Sequence, residues 1–133
     1  MIKRRDEEIF GFIMKESKRK HGWDRHIRNG ICYCIIFYDL KVRIGKAQEH
    51  TYMRRLGEHR QYYGAIRYDG YVPTDYAFLL EKIIHQVYDY YRFNRSDLFY
   101  FPEYDPYTVF SSIISDMNKW RLKVIRLFEI YLG

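Results

Sequence analysis

The sequence predicts an α+β fold, with a small, mainly antiparallel sheet of three strands flanked by helices that cover one face. Three observations predict it. A β-branched and aromatic run from Ile31 to Tyr38 is joined by the short "DL" to a second strand-like run, Lys41 to Lys46, which reads as a hairpin. Elsewhere apolar residues recur at i, i+3 and i+4, the period of amphipathic helices. Aromatic residues make up 20% of the 133, enough bulky apolar surface for a core in so short a chain.

Each element has its own signal. In "RDEEIFGFIMKESKRK", Ile9, Phe10, Ile13 and Met14 share a helical face, with acids at the start and bases at the end to suit the helix dipole. The polar, glycine-containing "HGWDRHIRNG" is a connector into the hairpin. After the hairpin, "QEHTYMRRLGEHRQYY" carries Tyr52, Leu56 and Tyr63 near helical spacing. A third strand follows at "GAIRYDGYV", between Gly64 and Gly70. Pro73, Thr74 and Asp75 open a helix whose stripe runs through Phe78, Leu79, Ile83, Val87 and Tyr90. After "NRSD" comes the extended "LFYFP". The last helix carries Val109, Ile113, Met117, Trp120, Val124 and Phe128 on one side, and either closes the core or makes a homodimer contact. One domain over 1–133 is expected: a basic helical N-terminal extension (1–29), a core (30–101) and a C-terminal helix (102–133).

Composition narrows the classes of function. The longest apolar run, "ICYCIIFY", is far short of the ~20 residues of a membrane span, so no membrane partner is expected. Acids in "MIKRRDEEIF" argue against a signal peptide. The only two cysteines, in "CYC", form no disulfide framework, which points to an intracellular, reducing compartment. Buried small hydrophobes are the expected role of Cys32 and Cys34. Net charge is +6, divided as +4 over 1–29, +4 over 30–67 and −2 over 68–133. Such asymmetry is the footprint of a phosphate-binding face, and equally of a solvated charged surface. The many tyrosines suit packing better than base stacking.

Two helices carry pairs of chemistry-bearing residues four apart, each on one helix face: Arg55 with His59, and Glu81 with His85. "EKIIH" is not a zinc motif, since it offers two ligands where zinc needs three or four. The segments "GICYCIIFYDLKVRIGKA", "YMRRLGEHR" and "LLEKIIHQVYDYYRFNRSDLFYF" resemble, in order and approximate spacing, the GIY-YIG nuclease superfamily. The likeness is to its divergent branch typical of phages and large DNA viruses, and it covers residues 30–101.

The resemblance implies a DNA endonuclease dependent on Mg²⁺ or Mn²⁺, working inside a cell, with Glu81 binding the metal. It implies that Arg55 and Arg43 hold the scissile phosphate, that Tyr33 helps deprotonate the attacking water, and that His59 relays a proton. Lys46, Arg54, Arg60, Arg92 and Asn94 are the implied nucleic-acid contacts. Arg54 competes with Arg55 for the phosphate role, and Asn94 serves equally as a turn residue. "GIC" and "RIG" stand where the family has "GIY" and "YIG". Counting from Gly30 puts Tyr33 at the first tyrosine position, whereas counting back from Gly45 puts Cys32 there. Two other classes stay open: a catalytically inactive nucleic-acid-binding module, and a protein-interaction module using the terminal helix.

Overall fold

The computed structural model describes residues 1–17, 27–94 and 96–131. In chain order the elements are α1 (Asp6–Ser17), β1 (Gly30–Phe37), β2 (Lys41–Gln48), α2 (Tyr52–Tyr63), β3 (Ile66–Pro73), α3 (Ala77–Val87), β4 (Leu98–Tyr100) and α4 (Pro106–Tyr131). Single turns of 3₁₀ helix precede α2 and follow α3. The expected end of the first helix and most of the connector, residues 18–26, lie outside the described residues.

The four strands form one antiparallel sheet in the order β3, β1, β2, β4. This corrects the expected three strands. The fourth is the "LFY" of the extended segment, and its pairing of Val42 with Phe99 and Arg43 with Leu98 extends the sheet at the β2 edge. The hairpin is in continuous register from Gly30 opposite Gln48 to Ile36 opposite Val42.

The helices cover both faces of the sheet rather than one. Cys32, Cys34 and Ile36 of β1 point with Val42 and Ile44 into a core shared with α1, α3 and α4. Ile31, Tyr33, Ile35 and Phe37 point the other way, against Tyr52 and Leu56 of α2. Strand residues alternate between faces, so a central strand with a helix layer on each side is apolar throughout. All eight residues of β1 are buried. Gly30 starts this strand because no side chain fits there: a Cβ would lie 2.8 Å from the Thr74 carbonyl oxygen and 2.9 Å from that of Ile27.

The predicted stripe of α4 packs on the chain's own core through Val109, Ile113, Met117, Trp120 and Val124. The stripe that suggested a dimer contact is thus occupied internally, at least as far as Val124. On α1, Ile9 and Ile13 join the same core. The cations just before α1 are partnered, since Lys3 pairs with Asp116, Arg4 with Asp89 and Arg5 with Glu8. The basic character of the N-terminal segment is therefore partly neutralised by the 3₁₀ turn after α3, by α4 and by α1. No helix among the described residues is long and apolar enough to cross a membrane.

Candidate active site

The register of the hairpin decides which residue faces which layer. Tyr33 lies opposite Gly45, and Arg43, two residues before that glycine on β2, shares its face. Cys32 lies opposite Lys46 on the other face, buried in the core. No bulge interrupts this stretch of the β1–β2 pairing. Tyr33 is therefore the residue that meets α2, and Gly45 is the reason it can. A Cβ at position 45 would fall 2.5 Å from both the Cζ and the hydroxyl oxygen of Tyr33, so the ring fills the space the glycine leaves.

From α2, His59 follows Tyr52 and Leu56 on the buried side of the helix. Its Nε2 lies 3.0 Å from the Tyr33 hydroxyl. Burial, followed by the charges of Arg43 and Arg55, holds the His59 imidazole down to a pKa of about 4. A neutral imidazole has one bare ring nitrogen, so the Tyr33 hydroxyl donates to Nε2 in the tautomer that carries its proton on Nδ1 and accepts from Nε2 in the other. The Tyr33 phenol is itself pushed up by burial, against the pull of the Arg43 and Arg55 cations, and the Glu81 charge adds to the rise. Arg43, Arg55 and Glu81 thus all bear on one hydroxyl.

Arg43 donates to the Tyr63 hydroxyl at 3.2 Å and to Asp97 at 3.3 Å. Its buried Nε has no hydrogen-bond partner. Arg55 lies on the exposed side of α2 with Glu58 3.7 Å away, and Arg54 is held similarly at 3.6 Å from the same carboxylate. Of these two, Arg55 and not Arg54 is felt at both Tyr33 and His59, together with Arg43. Arg60 is exposed on the same helix.

Glu81 comes from α3, on the far side of the sheet, where Lys46 Nζ approaches it to 3.2 Å. Burial is the main reason its carboxyl is raised above the ordinary carboxylate range; Lys46 opposes the rise and Asp97 adds to it. One turn on, His85 is buried and donates from Nε2 to the Ile44 carbonyl at 2.8 Å. Arg92 reaches back from beyond α3, with Nε on the Ser96 carbonyl at 2.8 Å and a terminal nitrogen 3.5 Å from His85 Nδ1. Asn94 takes a left-handed backbone, φ 47°, on an exposed turn, which is the work of a turn residue.

The structure therefore brings Arg43 beside the hydrogen-bonded Tyr33 and His59, and Arg43's partner Asp97 links the group to Glu81 with its Lys46. It leaves Arg54, Arg60 and Asn94 on the periphery. Two participants had no signal in the sequence. Tyr63 reads as one more core aromatic, and Asp97 as a turn acid; only the pairing of β2 with β4 brings Asp97 to Arg43. As a donor set for a divalent cation, Glu81 with the neighbouring Asp97 and His85 fits, since a donor atom from each lies within 4.8 Å of the others. Comparison with protein families, curated proteins and solved structures finds no match to this chain.

Proposed function

We propose that the chain is a GIY-YIG-like, divalent-metal-dependent endonuclease that hydrolyses DNA phosphodiester bonds. The observation that carries the reading is the Tyr33 hydroxyl on the neutral His59 Nε2, with Arg43 beside it and Glu81 across the sheet edge. Hydrolysis needs a proton acceptor for water, cations for the charge growing on phosphorus-bound oxygen, and stabilisation of the departing oxygen. Tyr33 passes its proton to His59 as it takes one from the attacking water. The new P–O bond forms as the bond to the leaving sugar oxygen breaks. Arg43 and Arg55 hold the phosphate oxygens, Arg43 from a half-buried position where its charge is poorly screened. Glu81 holds the metal, whose charge would neutralise the leaving oxygen. Lys46, Arg54, Arg60 and Arg92 provide further positive charge for the strand on either side.

A second reading is favoured by one fact: Tyr33 is only 3% exposed, which leaves water little access to its ring and hydroxyl. A module of the same shape that binds nucleic acid without cutting it has no need of that access. Plasmid cleavage in Mg²⁺ or Mn²⁺ against EDTA separates the two. Cleavage by the wild-type chain is expected, with loss in Glu81→Ala and a fall of about 10²–10⁴-fold in Tyr33→Phe. Activity that survives both EDTA and Glu81→Ala overturns the mechanism. No cleavage, with DNA binding that weakens as salt rises, leaves the binding module.

A further inference from the structure

We infer that Glu81, His85 and Asp97 form a three-residue site for one divalent transition-metal ion, with Mn²⁺ held in preference to Mg²⁺. The inference rests on the nuclease reading only for Glu81; His85 and Asp97 are argued from their own geometry. Glu81 and His85 are one turn apart on α3, and Asp97 arrives from the turn before β4. One residue of β2 sets both of the latter in place. The Ile44 N–H donates to the Asp97 carbonyl at 3.2 Å, and the Ile44 carbonyl accepts from His85 Nε2 at 2.8 Å.

That second bond decides the imidazole's chemistry. A carbonyl only accepts, so Nε2 carries the hydrogen and Nδ1 presents a lone pair. A metal-binding histidine is typically oriented this way, its other nitrogen fixed by a backbone carbonyl or carboxylate. Donors bound to one ion at about 2.0–2.2 Å lie about 3–4.4 Å apart, so three atoms within 4.8 Å of one another close on an ion by side-chain adjustments of about an ångström or less.

The donor types select the ion. Mg²⁺ prefers oxygen and gives up water reluctantly, whereas an imidazole nitrogen beside two carboxylates suits the first-row transition ions. Each donor is at present matched by one cation of the chain: Lys46 on Glu81 at 3.2 Å, Arg43 on Asp97 at 3.3 Å and Arg92 near His85 at 3.5 Å. An ion at the three donors takes over the neutralisation of the two carboxylates and the place of Arg92 at His85 Nδ1. It thereby frees the three side chains to meet an anionic ligand such as a phosphate diester.

The test is binding of MnCl₂ and MgCl₂ to the full chain by calorimetry, with pulsed electron paramagnetic resonance of the Mn²⁺-loaded protein. About one Mn²⁺ per chain is expected, at least about tenfold tighter than Mg²⁺, with hyperfine coupling to an imidazole nitrogen. Asp97→Asn, at a partly exposed position that leaves the core intact, is expected to weaken Mn²⁺ by at least about tenfold. His85→Gln is expected to abolish the nitrogen coupling; circular dichroism confirms that each variant is folded. Mn²⁺ bound without nitrogen coupling, or unchanged by Asp97→Asn, overturns the three-residue site while leaving Glu81 as a metal residue. Absence of Mn²⁺ binding at millimolar concentration overturns the site and the metal dependence together. Tight Mn²⁺ binding without DNA cleavage leaves the site standing and removes the nuclease.

Discussion

At position 45 the smallest side chain is a condition for the largest group of the site. Gly45→Ala would drive a methyl into the Tyr33 ring, and overpacking of this kind costs about 1–3 kcal/mol. The ring must swing away from His59 to relieve it. A lower denaturation midpoint together with impaired cleavage is therefore expected, and an unchanged midpoint would show that the ring is not held where the register places it. His59 supplies a second residue-scale prediction. Its pKa is about 4 in the folded chain against 6.5 for the free side chain, through burial and the charges of Arg43 and Arg55, opposed by Glu58 and Asp97. Between those values the unfolded chain binds the extra proton, so this contribution to stability is complete above pH 6.5 and falls away as pH drops toward 4. Urea midpoints measured across that window should slope less in His59→Phe than in the wild type. Sequence spacing alone left Tyr33 and Cys32 as rivals because the two counts start from different glycines, and only the pairing of Tyr33 with Gly45 separates them.

Elements differ in how openly the sequence declares them, and the reason is the range of the interaction that makes each one. The hairpin and α3 are legible because their patterns, an apolar run with a short turn and a stripe at helical spacing, are local. Strand β4 is three residues long, and although "LFYFP" reads as extended, its place in the sheet depends on pairing with residues more than fifty positions earlier, which no local pattern marks. Asp97 is hidden for the same reason. Between α3 and β4, Asn94 tests whether that turn is structure or site. An L-residue without a local hydrogen-bonding side chain pays about 1–2 kcal/mol for a left-handed backbone. Asn94→Ala should accordingly lower the melting temperature, and Asn94→Gly should restore it with cleavage unchanged. Cleavage lost in a fully stable Asn94→Gly would return the residue to the site.

For the whole molecule, the two-sided burial of β1 was signalled by the unbroken "ICYCIIFY", since strands covered by helices on both faces read as continuous apolar runs. Tyr52, Leu56 and His59 give α2 a buried side against the second face of the sheet, which the expectation of one covered face did not include. Strand β1 is also hydrogen-bonded to a neighbour at each edge, β2 on one and β3 on the other. Its amides have no local route to solvent. Hydrogen exchange at Cys34 and Ile35 should proceed only when the entire chain unfolds, while amides in β4 exchange sooner. Exchange in the middle of β1 as fast as in β4 would mean that the two layers part without global unfolding. Any molecule that binds only the folded chain lowers the globally unfolded population by a factor of one plus the ratio of its free concentration to its Kd. The central strand is thus a built-in gauge of ligand affinity: deuterium uptake at two or three of its amides would register a metal ion or a DNA duplex whether or not a bond is ever cut.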